Sequence, residues 1–187
     1  MSPFGGRVTI RPYHANDVAA VLEAGLESVA QVSPWFPWAH EHLSAEEVAG
    51  FITTRTELWT AGAERSFAIV DATSDRYLGG VWLNQMDLAA KRANLGFWVR
   101  TSALRQGIAS AAARLAVNYA FDQMGLDAVE IVVAVGFEPS RRVAETIGAR
   151  PQGIQPRKLE LRGARVEAEV WTIERRFSAP EASPEIP

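Results

Sequence analysis

The sequence predicts an α/β fold: a mixed sheet with antiparallel N-terminal strands, a central βαβ crossover and a C-terminal hairpin. Three features lead to it. VEIVVAV (129–135) is an almost unbroken run of β-branched and apolar residues, as expected of a strand buried on both faces. It follows a helical segment of small residues that itself follows the strand ANLGFWV (93–99), and strand, helix and buried strand in succession make a parallel crossover. Upstream, SFAIVD (66–71) and YLGGVWLNQ (77–85) flank the turn-rich ATSDR, which makes them an antiparallel pair, with ANLGFWV as the third strand of a meander.

The remaining elements follow in order. RVTIRP (7–12) is short and β-branched and predicts the first strand. Val18, Val21, Leu22, Leu26 and Val29 then recur at helical spacing. The second helix has the best-marked start: Ser44 and Glu47 form an S-x-x-E capping box, in which each side chain satisfies the other residue's backbone N–H. Val48, Phe51, Ile52 and Trp59 supply its apolar face, and Gly62 lies just past its end. The crossover helix carries Ser110, Arg114, Asn118 and Asp122 at four-residue intervals and is otherwise small or apolar, so most of its circumference is packed. Met124-Gly125 closes it with a residue suited to a left-handed cap. Pro139 falls in the first turn of a further helix, EPSRRVAETIG (138–148), where its missing N–H needs no partner. RKLELRG (157–163) and VEAEVWTIER (166–175) predict the last two strands. Residues 1–177 make one domain, and SAPEASPEIP (178–187), rich in proline, serine and acid, predicts a disordered tail.

Composition narrows the function. At 187 residues and 48% apolar, the chain suffices for one domain with a real core. Its 19 basic and 22 acidic residues include no basic block to track a phosphate backbone, so no nucleic-acid partner is expected. With no cysteine there is no disulfide frame, thiolate zinc site or cysteine nucleophile. The N-terminus lacks the pattern of a secretory signal, and no segment approaches the roughly 18 apolar residues that span a bilayer. A cytoplasmic protein without a membrane partner is expected. His40 and His42 lack a signalled third ligand, so no metal is expected. Monomer and homodimer both remain open.

The segment LRQGIASAAA (104–113) is the first candidate for chemistry. Where a strand runs into a helix, the first turn presents unsatisfied N–H groups and the positive end of the dipole, and so binds anions. Gly107 lets a phosphate approach the backbone, Arg105 and Gln106 flank it with a charge and a donor, and the small Ala109 leaves the approach open. The same residues also suit tight packing of helix on sheet, and the stretch alone leaves both explanations open.

The succession from PWFPWAH through LNQMDLAAKRANLGFWVRTSALRQGIASAAARLA to VEIVVAVGFEPSRRVAETIGA, in order over residues 7–176, resembles the GNAT superfamily of acetyl-CoA-dependent N-acetyltransferases. The resemblance is to its RimJ/RimL-like branch, which acetylates ribosomal-protein N-termini. It implies a GNAT-like single domain with acetyl-CoA as co-substrate and an amine as acceptor. It implies that Arg105, Gln106, Gly107, Ile108, Ala109 and Ser110 hold the pyrophosphate. The fourth and fifth strands are implied to splay apart, with the pantetheine arm pairing along Phe97, Trp98 and Val99 and Phe137 lining the channel. Asn94 and Ser140 fall at catalytic positions, Ser140 as proton donor to the departing thiolate. Trp35 and Trp38 fall on the loop at the acceptor end.

The chain departs from the family pattern at three positions. Leu104 stands where glutamine or arginine begins the phosphate motif, Phe137 where asparagine begins N-x-x-S, and Asn94 where many relatives carry a glutamate. An aromatic ring replaces neither the donor nor the acceptor of an amide, though it packs against an apolar arm. Asn94 cannot act as a base. At pH 7 a lysine amine is neutral in about one molecule in two thousand and an α-amine in roughly one in ten, a difference of about 3 kcal/mol. A site without a carboxylate base therefore suits an α-amine or another weakly basic amine. With no cysteine and no serine–histidine signature, transfer is expected to be direct, without an acyl-enzyme. A second class stays open at this point: a GNAT-fold binding module that has lost turnover.

Overall fold

A computed structural model describes residues 8–175. Strands β1 (Val8–Pro12), β2 (Arg65–Asp71), β3 (Tyr77–Asp87), β4 (Arg92–Val99), β5 (Ala128–Ala134), β6 (Arg150–Leu161) and β7 (Ala164–Glu174) form one sheet in the order β1-β2-β3-β4-β5-β7-β6. The helices are α1 (Val18–Glu27), the single turn α2 (Val29–Val32), α3 (Ala45–Thr60), α4 (Ile108–Asp122) and α5 (Glu138–Ile147). The β2-β3-β4 meander is antiparallel, β4 and β5 pair in parallel through the α4 crossover, and β6 and β7 form the final hairpin.

Helices cover both faces. Phe67, Ile69, Val81, Leu83 and Leu95 join α4 and α5 in one core, whereas Ala68, Val70, Tyr77 and Trp98 join α1 and α3 in the other. Burial on both faces explains why β2 reads as a continuous apolar run. Ala112, Ala113, Ala116 and Ala120 are fully buried under α4, so methyl-sized residues seat this helix close to the sheet.

The capping box at Ser44 forms as the sequence predicts, with Ser44 Oγ accepting from the Glu47 N–H and the Glu47 carboxylate accepting from the Ser44 N–H. Gly125 takes the left-handed conformation, at φ +66°. Three details differ from the sequence reading. The first helix stops at Glu27, its buried face is Val21, Ala24 and Gly25, and Leu26 is exposed; Val29 belongs to the separate turn α2. The chain breaks at Ser28 because its fully buried hydroxyl is taken by the Thr101 N–H, a tertiary contact that no periodicity signals. β6 starts at Arg150 rather than at 157; Pro151, Gly153 and Pro156 disguised it, and an edge strand with register shifts tolerates them. Arg7 and the 178–187 tail lie outside the described residues.

Candidate active site

β4 and β5 pair only through Arg92, Ala93 and Asn94 against Ala128, Val129 and Glu130. Beyond that rung, among the described residues, no strand pairs with this edge of β4, while β5 stays paired with β7 through Ala134. The parting leaves a channel of about 270 Å³ between Leu95–Phe97 and Ile131–Ala134, continued by a slot of about 100 Å³ beside Val99, Leu104 and Ala109. Trp35, Phe36, Phe97, Phe137 and Ser140 line both, so the two are parts of one passage through the sheet. An unpaired strand edge beside a slot is what an extended polar chain needs for pairing.

At one end of the passage stands the first turn of α4. Gly107 is its N-cap, at φ +75°, and no side chain caps the helix. A Cβ at Gly107 would meet no atom within 4 Å, so packing does not demand glycine there; the left-handed backbone does. Ile108 is buried, Ala109 packs on the core, Ser110 is half-buried, and Arg105 is exposed and left-handed at φ +58°. The Gln106 side chain folds back, Nε2 donating to the Ser102 carbonyl at 3.2 Å.

The segment feeding that turn is tied down by α1. Arg100, 3% exposed, donates to Glu23 at 2.5 Å and through Nε to Glu27 at 2.9 Å. Glu27 also accepts from the Ser102 N–H at 2.6 Å, and Thr101 Oγ1 donates to Gln31 at 3.0 Å. Burial works against the Glu27 charge, but the Arg100 guanidinium and the Ser102 N–H outweigh it and hold its carboxyl below the usual range. Sequence reasoning missed this tether, because its partners lie more than 70 positions apart.

At the other end, Asn94 and Asn84 face each other across β4 and β3, and Asn94 Nδ2 donates to Asn84 Oδ1 at 2.9 Å. Asn94 Oδ1 is buried without a hydrogen-bond partner among the described residues, a spare acceptor in the channel wall. Ser140, third residue of α5, is half-buried and faces the passage. Trp35 stacks on Phe137, centroids 3.9 Å apart and planes inclined by 32°. Trp38 lies elsewhere, edge-on to Trp98 at 5.0 Å, against the α1/α3 core. The loop thus sends one indole into the passage and the other behind β4.

Asn84, Gln85, Lys158 and Glu160 complete the acceptor-side wall and were not anticipated. Gln85 sits at φ +48° within a register shift between Asn84 and Asp87, a bulge that re-aims side chains beside a site. Among the described residues Glu160 is the one carboxylate of that wall; Lys158 pairs with Glu130 at 3.4 Å. The two-residue turn at Arg162-Gly163 sets the register of the strand the sequence predicted at 157–163, but does not tell which of its residues face the channel. His40 Nε2 sits 3.1 Å from Glu47, and no cluster of three or more potential metal ligands occurs among the described residues. No helix among them is long and apolar enough to cross a membrane.

A two-faced α/β sheet parted between parallel strands, with an uncapped helix N-terminus at the mouth, defines the architecture of an acetyltransferase. The chain belongs to the acetyltransferase (GNAT) domain family, which it matches over residues 7–150. It is an N-acetyltransferase and resembles the RimJ/RimL-like branch. YdaF of Bacillus subtilis (strain 168), which carries the name of a ribosomal N-acetyltransferase, is 28% identical over 152 residues, 78% of this chain and 79% of YdaF. Ribosomal L7/L12 α-N-protein acetyltransferase RimL, solved with coenzyme A, superposes with a TM-score of 0.81 at 18% identity, covering 92% of this chain and 97% of RimL. Mycobacterium smegmatis RimJ, solved with a coenzyme A disulfide, gives 0.81 at 24% identity, covering 89% and 81%.

Proposed function

We propose that this N-acetyltransferase takes its acetyl group from acetyl-CoA and passes it directly to a primary amine, either the α-amine of a protein or peptide or a weakly basic small-molecule amine. What supports this most is the parting of β4 and β5 just beyond Asn94, which joins an uncapped helix start to a chamber with a spare amide acceptor. The coenzyme A bound to RimL and RimJ, and the names of RimL and YdaF, point the same way.

In this reading the backbone of residues 105–110 receives the pyrophosphate, which favours the positive end of α4. The arm runs along the free edge of β4 at Phe97, Trp98 and Val99, with Phe137 and Ala109 as apolar walls. Asn94 Oδ1 accepts an N–H of the incoming amine and aims its lone pair at the thioester carbonyl. The C–N bond forms as the C–S bond breaks, nitrogen releases its surplus proton to solvent, and the thiolate takes one from Ser140, whose hydroxyl is replenished from solvent. The first turn of α5 favours negative charge on the departing sulfur. Glu160 draws the cationic amine toward the wall, and Trp35 borders its path.

The test is thiol release from acetyl-CoA across peptide N-termini, polyamines and aminoglycosides. α-Amines and other weakly basic amines are expected to turn over faster than lysine-like ones. A lysine-like acceptor with a profile already flat at pH 7 would reveal a base outside this scheme, and no thiol release with any acceptor would overturn it.

A further inference from the structure

We infer that the acceptor site continues into a second, aromatic chamber, and that this enzyme selects amines carrying an aromatic ring with an oxygen acceptor. The inference rests on the transferase reading above and names its substrate class. Between the sheet and helices α1 and α3 lies a cavity of about 420 Å³, larger than the channel itself. Its walls include Tyr13, Phe36, Trp38, Phe51, Trp82 and Trp98. A hollow of this size lined by rings falls within the range of small-molecule sites, and an apolar group fills it at the expense of poorly held water.

Its connection to the chemistry is structural. Phe36 and Trp82, packed edge to face with centroids 5.9 Å apart, line this chamber and the acceptor side of the channel alike. Gly96 on β4 lets the Trp82 indole lie directly against the strand, because a Cβ there would run into it. In this inference the bulky substituent of an amine held at Asn94 enters the chamber past the Phe36–Trp82 pair, and the side chain of a serine or alanine leaves it unfilled.

Two donors refine the ligand. Arg55 lines the chamber; its Nη1 binds Glu64 at 2.7 Å, but its Nε is buried without a hydrogen-bond partner among the described residues. The hydroxyls of Tyr13 and Tyr77, both fully buried and lining the chamber, lie 3.0 Å apart and share one hydrogen bond, which leaves one hydroxyl proton over. Unused donors call for an acceptor atom. A phenolic ring on a short alkylamine supplies ring, oxygen and amine together.

Tyramine is the probe and ethylamine the small control, with peptides beginning in tyrosine, serine and alanine as a parallel pair of classes. Counted per neutral amine, the wild type should show kcat/KM at least tenfold higher for tyramine than for ethylamine, and the tyrosine peptide should lead its series. Val48→Phe, or Leu43→Phe just before α3, fills the chamber and should cut the tyramine-to-ethylamine ratio, counted per neutral amine, at least tenfold. Tyramine should also quench the tryptophan fluorescence of the wild type, and either filling variant should abolish this; that readout needs no turnover. Equal use of tyramine and ethylamine overturns the aromatic chamber and leaves the transferase intact. Absence of quenching overturns it whether or not any amine is consumed. Absence of thiol release with every acceptor, beside intact quenching, would instead remove the transferase reading and keep the chamber.

Discussion

In the proposed reaction Asn94 and Glu160 divide the handling of the incoming amine. Asn94 offers an acceptor without a charge, and Glu160 a charge from the far wall. With no base at Asn94, log kcat/KM should rise with pH up to the free amine's own pKa, and Asn94→Glu should shift that rise to lower pH. Glu160→Gln should raise KM for a cationic acceptor about tenfold with little change in kcat, as expected for a residue that binds rather than reacts. Trp35→Ala should weaken acceptor use and leave acetyl-CoA affinity within about a factor of three; steady-state kinetics with each substrate varied separately would show it. That Asn94, Ser140 and Trp35 lie along one passage was expected from the positions the family resemblance gives them. Asn84 and Glu160 were not, since their importance comes from strand register. Trp35 and Trp38 looked equivalent in SPWFPW, and only the turn of the chain sends them to different sides of β4.

Helix α4 depends on what precedes it. Gly107→Val places a β-branched residue at φ +75°, which strains the backbone by about 1–3 kcal/mol and narrows the approach to the first turn. Measured against the variant's own melting point, the stabilisation by acetyl-CoA should largely disappear, whereas Leu104→Gln should keep or increase it. Arg100 tests the tether. Its removal leaves Glu27 half-covered beside a loop that has lost its anchor, and Arg100→Leu should cost about 3 kcal/mol, or roughly 8 °C in Tm. The helix starts at Ser44 and near Gly107 were readable because caps and glycines act within four residues. The end of the first helix and the start of β6 were not, since a buried serine in one case and an edge position in the other decide them.

For the molecule as a whole, acetyl-CoA at a hundred times its Kd should stabilise the fold by about 2.7 kcal/mol, a Tm increase of roughly 5–10 °C. Stability should also fall in acid. Burial opposes the Asp17 charge, but Arg11 holds it at 2.8 Å and keeps its carboxyl below the usual range, as Arg100 does for Glu27. A carboxyl whose pKa is lower folded than unfolded adds stability that is complete above its unfolded pKa and lost as pH falls through the folded one. Denaturant titrations should therefore be level near pH 6–7 and decline below about pH 4.5, and Glu27→Gln should flatten the decline.

The match to the family ends at residue 150, where β6 begins. That outermost strand carries Lys158 and Glu160 in the acceptor wall, yet it borders only one neighbour in the sheet and no core layer rests on its exposed residues. The strand can therefore take substitutions without disturbing the crossover that parts β4 from β5. Within the proposed site, the share of the acceptor wall that β6 supplies is thus separable from the parted strands, so altering Lys158 and Glu160 together should change acceptor preference while leaving acetyl-CoA binding in place.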